Sequence, residues 1–128
     1  MAIKFHNPKS VSLAGKYSLG AEVPQGVRLL FVSGQVGVDS RGKILDGIDK
    51  QVAQVWKNIG QVLKAGGMGY RDIVKVNAFL TDSRFVPAYR AGRDQFISEP
   101  YPASTLLIVA GLADPAMLVE IEVVAAKS

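Results

Sequence analysis

Between Asp49 and Ala65 the apolar residues Val52, Val55, Trp56, Ile59, Val62 and Leu63 recur at i, i+3, i+4, i+7. That spacing puts them on one face of an α-helix. Gly66 and Gly67 follow at once and end the helix as C-terminal glycines do. A helix with one apolar stripe must bury it against another layer. The chain supplies that layer in Ile73 to Leu80, where Val74, Val76, Ala78 and Leu80 alternate with Lys75 and Asn77. Such alternation describes a strand with one face turned to a core.

The remaining segments fit the same plan. Lys16 to Ala21 and Arg28 to Ser33 read as short strands separated by the turn Val23-Pro24-Gln25-Gly26, and Asp39 to Lys43 reads as a hairpin turn. Asp82 or Ser83 caps a second helix that runs to about Phe96. Pro87 is tolerated because it falls in the first turn, and Gly92 weakens this helix by roughly 1 kcal/mol relative to alanine. Pro100-Tyr101-Pro102 breaks the pattern before two more strands, Ser104 to Ala110 and Leu118 to Ala125. In the last strand Val119, Ile121 and Val123 point one way and Glu120 and Glu122 the other. The expected fold is a single α+β domain over residues 1–128, with a mixed β-sheet and both helices packed on one face. The other sheet face carries residues such as Thr105, Leu107 and Glu120 or its neighbours. An open apolar sheet face in so small a chain points to burial against other subunits.

Composition removes several function classes. The chain has no cysteine, so no disulfide framework, thiolate nucleophile or zinc-thiolate site can form. His6 is its one histidine, in an N-terminal segment expected to be a mobile surface element. A Ser-His-Asp triad or a multi-histidine metal centre is therefore not expected. The net charge is +4, but the basic residues are scattered and no basic run with interleaved aromatics occurs, which disfavours nucleic acid as a partner. Gly66-Gly67-Met68-Gly69 closes a helix instead of opening one, so it lacks the N-terminal amides of a phosphate cradle. No signal-like segment begins the chain and no apolar run reaches the roughly 18 residues of a membrane span, so a cytoplasmic protein with no membrane association is expected. Glu120 is the residue that stands out. A carboxylate between Val119 and Ile121 needs either a wet cleft or a solvent-facing strand position, and the sequence leaves both open.

Six segments in order resemble the RidA (YjgF) family: Gly15-Lys16-Tyr17-Ser18, Phe31-Val32-Ser33-Gly34-Gln35, the helix with Gln51, Trp56 and Asn58, Asp72 to Asp82, Tyr101-Pro102-Ala103-Ser104-Thr105, and Leu118 to Ala125. The resemblance covers residue 10 to the end. It implies a chorismate-mutase-like fold, a homotrimer, and ligand clefts between subunits for a small-molecule ligand. It implies hydrolysis of reactive imines and enamines to 2-oxo acids and ammonia without metal or organic cofactor. Carried over position by position, Tyr17, Ser33, Gly34 and Glu120 match the family's cleft. Glu120 is the catalytic candidate, able to orient or activate water. Backbone groups near Gly34 and Leu106 are candidates to bind a carboxylate or carbonyl, with Thr105 beside them, and Tyr17 to cover the ligand.

Two positions depart from the pattern. Family deaminases have arginine in P-A-R-[ST], where this chain has Ser104, and Tyr89 falls where many members have asparagine. Arginine binds a carboxylate through two charge-assisted bonds, and a serine hydroxyl offers one neutral donor. The loss is worth a few kcal/mol, on the order of a hundredfold in rate. Arg93 shares the helix face of Tyr89 and replaces the charge if that face borders the cleft; otherwise it is an exposed arginine paired with Asp94 or Glu99. The leading reading is a deaminase with non-standard substrate binding. The alternative is a non-catalytic small-ligand-binding or protein-protective trimer. RNA cleavage, attributed to some relatives, lacks a histidine pair, a stacking platform and a basic groove here.

Overall fold

The computed structural model describes residues 2–128. Six strands, β1 (Lys4–His6), β2 (Gly20–Glu22), β3 (Arg28–Val36), β4 (Ile73–Leu80), β5 (Ala103–Ile108) and β6 (Val119–Lys127), accompany two helices, α1 (Ile48–Ala65) and α2 (Val86–Arg93). The main sheet has the order β3-β6-β4-β5. β6 pairs antiparallel with β3 and β4, whereas β4 and β5 run parallel, joined by the crossover through α2. This is the expected mixed sheet of an α+β fold.

Alternation along the strands builds the core. Val76, Ala78 and Leu80 of β4 and Val119, Ile121 and Val123 of β6 turn to the helices and are buried, together with Val52, Val55, Trp56, Ile59 and Leu63 of α1. Helix α1 packs on β3 and β6 and against α2. It ends at Gly66, and Gly67 takes φ +72°, the left-handed conformation that favours glycine after a helix. The opposite sheet face stays open, with Phe31 72% exposed and Leu29 and Leu107 half exposed.

Several boundaries differ from expectation. The strand read at 16–21 shrinks to Gly20–Glu22, because Ser18 is drawn to the start of β5. Its amide donates to Pro102 O at 3.0 Å and its hydroxyl to Tyr101 O at 2.6 Å. The N-terminal segment is an ordered strand: Lys4 faces Glu22 and His6 faces Gly20 in an antiparallel ribbon, with His6 Nε2 2.9 Å from Glu22 Oε1. The second helix stops at Arg93, three residues short of Phe96, and opens with a 3-10 turn over Ser83–Phe85.

Gly92 also has a purpose that propensity misses. A Cβ on it would overlap Val52 Cγ1 of α1, so glycine sets how closely the helices approach. Gly92→Ala should therefore fail to deliver the usual propensity gain. Overpacking outweighs it, for a net loss of about 1 kcal/mol in urea denaturation. Adding Val52→Ala should recover part of the alanine's own penalty, and strict additivity of the two changes would show that the contact is not the cause.

Candidate active site

Strand β6 aims two carboxylates at the open face, and their surroundings differ. Glu122 accepts a hydrogen bond from Asn77 Nδ2 at 3.3 Å. Glu120 lies between Val36 of β3 and Phe79 of β4, and no lysine or arginine pairs with it among the described residues. Its carboxylate rests directly on the backbone of Gly34, where any Cβ would overlap Oε2. The β3–β6 register shifts between Val32 and Gln35, so Ser33 and Gly34 sit in a bulge. Bulges re-aim side chains and backbone at such positions. Glu120, Ser33 and Gly34 are thus brought together, and glycine admits the carboxylate. Gly34 also lines a hollow of about 560 Å³ with Lys57 and Asn58. Asn58 shapes this hollow by donating to Val36 O at 3.3 Å and Val38 O at 2.9 Å.

A second cluster forms on the far edge of the sheet. Ser104 and Leu106 of β5 are in register with Val76 and Ala78 of β4, so their side chains face the helical layer. Thr105 turns to the open face, where its hydroxyl accepts from Lys75 Nζ at 2.8 Å. Tyr89 of α2 is 1% exposed, and its hydroxyl faces Arg93 and Ser104 without a well-formed hydrogen bond to either. Burial pushes its pKa to about 12, so it stays a neutral phenol. The Arg93 guanidinium carbon lies 5.8 Å from the Tyr89 ring centre. Arg93 Nε and Nη2 donate to Asp94 Oδ1 at 3.2 and 3.1 Å, and Lys16 Nζ donates to Asp94 Oδ2 at 3.1 Å. The pairing with Asp94 was one of the two partners expected, but the side chain is only 12% exposed. Tyr17, next to Lys16, lines a separate hollow of about 330 Å³ with Tyr101.

One chain does not unite these clusters. Ser33 and Gly34 lie on β3 and Ser104 and Leu106 on β5, with β6 and β4 between them. Three strand spacings amount to roughly 14 Å, more than a small imino acid spans. The pair Lys16 and Asp94 carried no sequence signal, because its members stand 78 residues apart. Among the described residues no group of three metal-ligating side chains occurs, and no helix is long and apolar enough to cross a membrane.

Residues 9–127 match the family model described as Endoribonuclease L-PSP. The chain belongs to this L-PSP family. It is 31% identical over 119 residues to the 2-iminobutanoate/2-iminopropanoate deaminase of Homo sapiens, covering 91% of this chain and 84% of that protein. A RutC family protein of Aquifex aeolicus (strain VF5) is 38% identical over 76 residues, 59% of this chain and 58% of that protein. The fold is similar to a solved Rid-family protein of unknown function from Yersinia pestis, with a TM-score of 0.88 and 27% identity over 99% of this chain and all of that one. The two helices and mixed four-stranded sheet are thus the L-PSP arrangement, and imine deaminases are among the family's members.

Proposed function

We propose that this L-PSP family chain hydrolyses a small imine or enamine, with Glu120 as the residue that orients and deprotonates the attacking water. The observation that carries the reading is the Glu120 carboxylate, seated on Gly34 with no cationic partner among the described residues, while its neighbour Glu122 is tied to Asn77. In the reaction water adds to the carbon of C=N while Glu120 takes one of its protons and passes it to nitrogen, giving a carbinolamine. Glu120 then takes the hydroxyl proton and passes it to nitrogen as the C–N bond breaks, giving C=O and ammonia. Each step needs only a base and a positioned water. The deaminase named among its relatives supports this chemistry.

The reacting cleft is read as lying between copies of the chain, in a homotrimer. Glu120, Ser33 and Gly34 would come from one copy, and Tyr17, Tyr89, Ser104, Thr105 and the backbone at Leu106 from its neighbour. Support comes from the separation of the two clusters and from the exposed Phe31, Leu29 and Leu107, which a second copy would cover. The reading keeps the cytoplasm as the compartment. A purely ligand-binding trimer is the weaker reading, because it gives no reason to keep a half-buried carboxylate without a partner.

Ammonia release from freshly generated 2-iminopropanoate tests the proposal. The expected result is clear acceleration over the uncatalysed reaction. A rate equal to the uncatalysed one would sink the deaminase reading and leave the binding trimer.

A further inference from the structure

Ser104 leaves the helix-facing side of β5 without a cation of its own, yet an arginine approaches that side from α2. Arg93 stands one helical turn beyond Tyr89 and packs its guanidinium 5.8 Å from that ring. The Tyr89 hydroxyl, fully buried, lies beside both Arg93 and Ser104 without a well-formed hydrogen bond to either. A guanidinium, a phenol and a serine hydroxyl therefore converge, and every one of them can donate. Buried donors are nearly always given an acceptor, so such a group calls for one.

Asp94 does not fill that role. It takes the Nε and Nη2 edge of Arg93 through Oδ1 and the Lys16 ammonium through Oδ2, which leaves Nη1 open. Two cations and one anion leave the cluster a net charge of +1. A neutral ligand would leave Lys16 and a guanidinium that is only 12% exposed sharing the single Asp94 carboxylate. A dicarboxylate would bring one charge too many. A monocarboxylate balances the cluster.

We infer that Arg93 is the carboxylate anchor of this chain, placed on helix α2 instead of strand β5, with Tyr89 and Ser104 as neutral donors and with Asp94 and Lys16 as positioning residues that tune the cluster to a monocarboxylate. The inference rests on the proposed hydrolase for the identity of the reacting carbon but not for the anion. Lys16 also ties the anchor to Tyr17 beside it, so loss of the Lys16–Asp94 contact frees the segment that lines the neighbouring hollow.

The test is calorimetric titration of the whole protein with 2-oxobutanoate, a stable ketone with the carboxylate of the corresponding imine, and with butanone as its uncharged counterpart. Wild type should bind 2-oxobutanoate at least about tenfold more tightly than butanone. Arg93→Gln should erase that preference, Arg93→Lys should restore part of it, and Lys16→Met should weaken 2-oxobutanoate about threefold while leaving butanone unchanged. A thermal melt of each variant separates lost binding from lost fold. Equal affinities of wild type for the two ketones, or an Arg93→Gln variant that keeps the preference, would overturn the inference. Ammonia release separates this from the hydrolase reading. Deamination with an unchanged KM in Arg93→Gln overturns the anchor alone, and anchor-dependent binding by a protein that releases no ammonia overturns the hydrolase alone.

Discussion

Glu120→Gln should lower the rate of ammonia release from 2-iminopropanoate by about 10²–10⁴-fold, the usual contribution of a positioned general base. Glutamine keeps the shape that rests on Gly34 but cannot accept a proton from water. The change removes no ion pair among the described residues, so the thermal midpoint should move by no more than about 2 °C. Glu122→Gln is the matched control. That carboxylate lies two residues away on the same strand face, already bonded to Asn77, and its loss should leave the rate unchanged. An equal fall in both variants would mean that the chemistry follows the charge of the sheet face and not one base. Full activity in Glu120→Gln would remove Glu120 from the mechanism.

The elements legible in the sequence are those whose periodicity spans their whole length. Strand β4 matches its expected bounds because Val74 to Leu80 alternates without interruption. Helix α1 begins one residue early and ends where Gly66 and Gly67 require. The same alternation set Glu120 opposite Val119 and Ile121, and the packing of the helices on those two decides which side of the sheet carries the candidate base. The features missed depend on residues far apart in the chain. β1 has three residues and exists because β2 pairs with it, so no local pattern announces it. Helix α2 stops at Arg93, directly after Gly92, although no glycine or proline follows to end it. The spacing put Arg93 on the Tyr89 face, but whether that face meets Ser104 joins two elements, and periodicity describes only one at a time.

Those long-range ties also bear on how the candidate base is held, and Gln51 shows it. Its side chain is 1% exposed, on the first turn of α1. Nε2 donates to Leu45 O and to Ala116 O, each at 2.8 Å, and Oε1 accepts from Leu118 N at 2.8 Å. One amide thus ties the start of α1 to the loop before it and to the segment that enters β6. Leu118 O also accepts from Thr81 N at 3.1 Å, so the entry to β6 is pinned from two sides, two residues before Glu120. Gly37 fits this arrangement, because a Cβ there would lie 2.5 Å from Gln51 Cβ. Gln51→Leu keeps the volume and removes all three bonds, leaving two carbonyls and an amide without their partners. Each such loss costs about 1–3 kcal/mol when buried and less where water reaches the group, as it does at exposed Ala116. The expected result is a loss of about 2–5 kcal/mol in urea denaturation, among the largest available from a single polar residue in this fold. The loosened entry to β6 should also slow ammonia release at a temperature where the variant is still folded, because a carboxylate displaced from Gly34 no longer holds its water in line. A stability loss with full activity in the folded fraction would mean that Gln51 supports the fold without positioning Glu120.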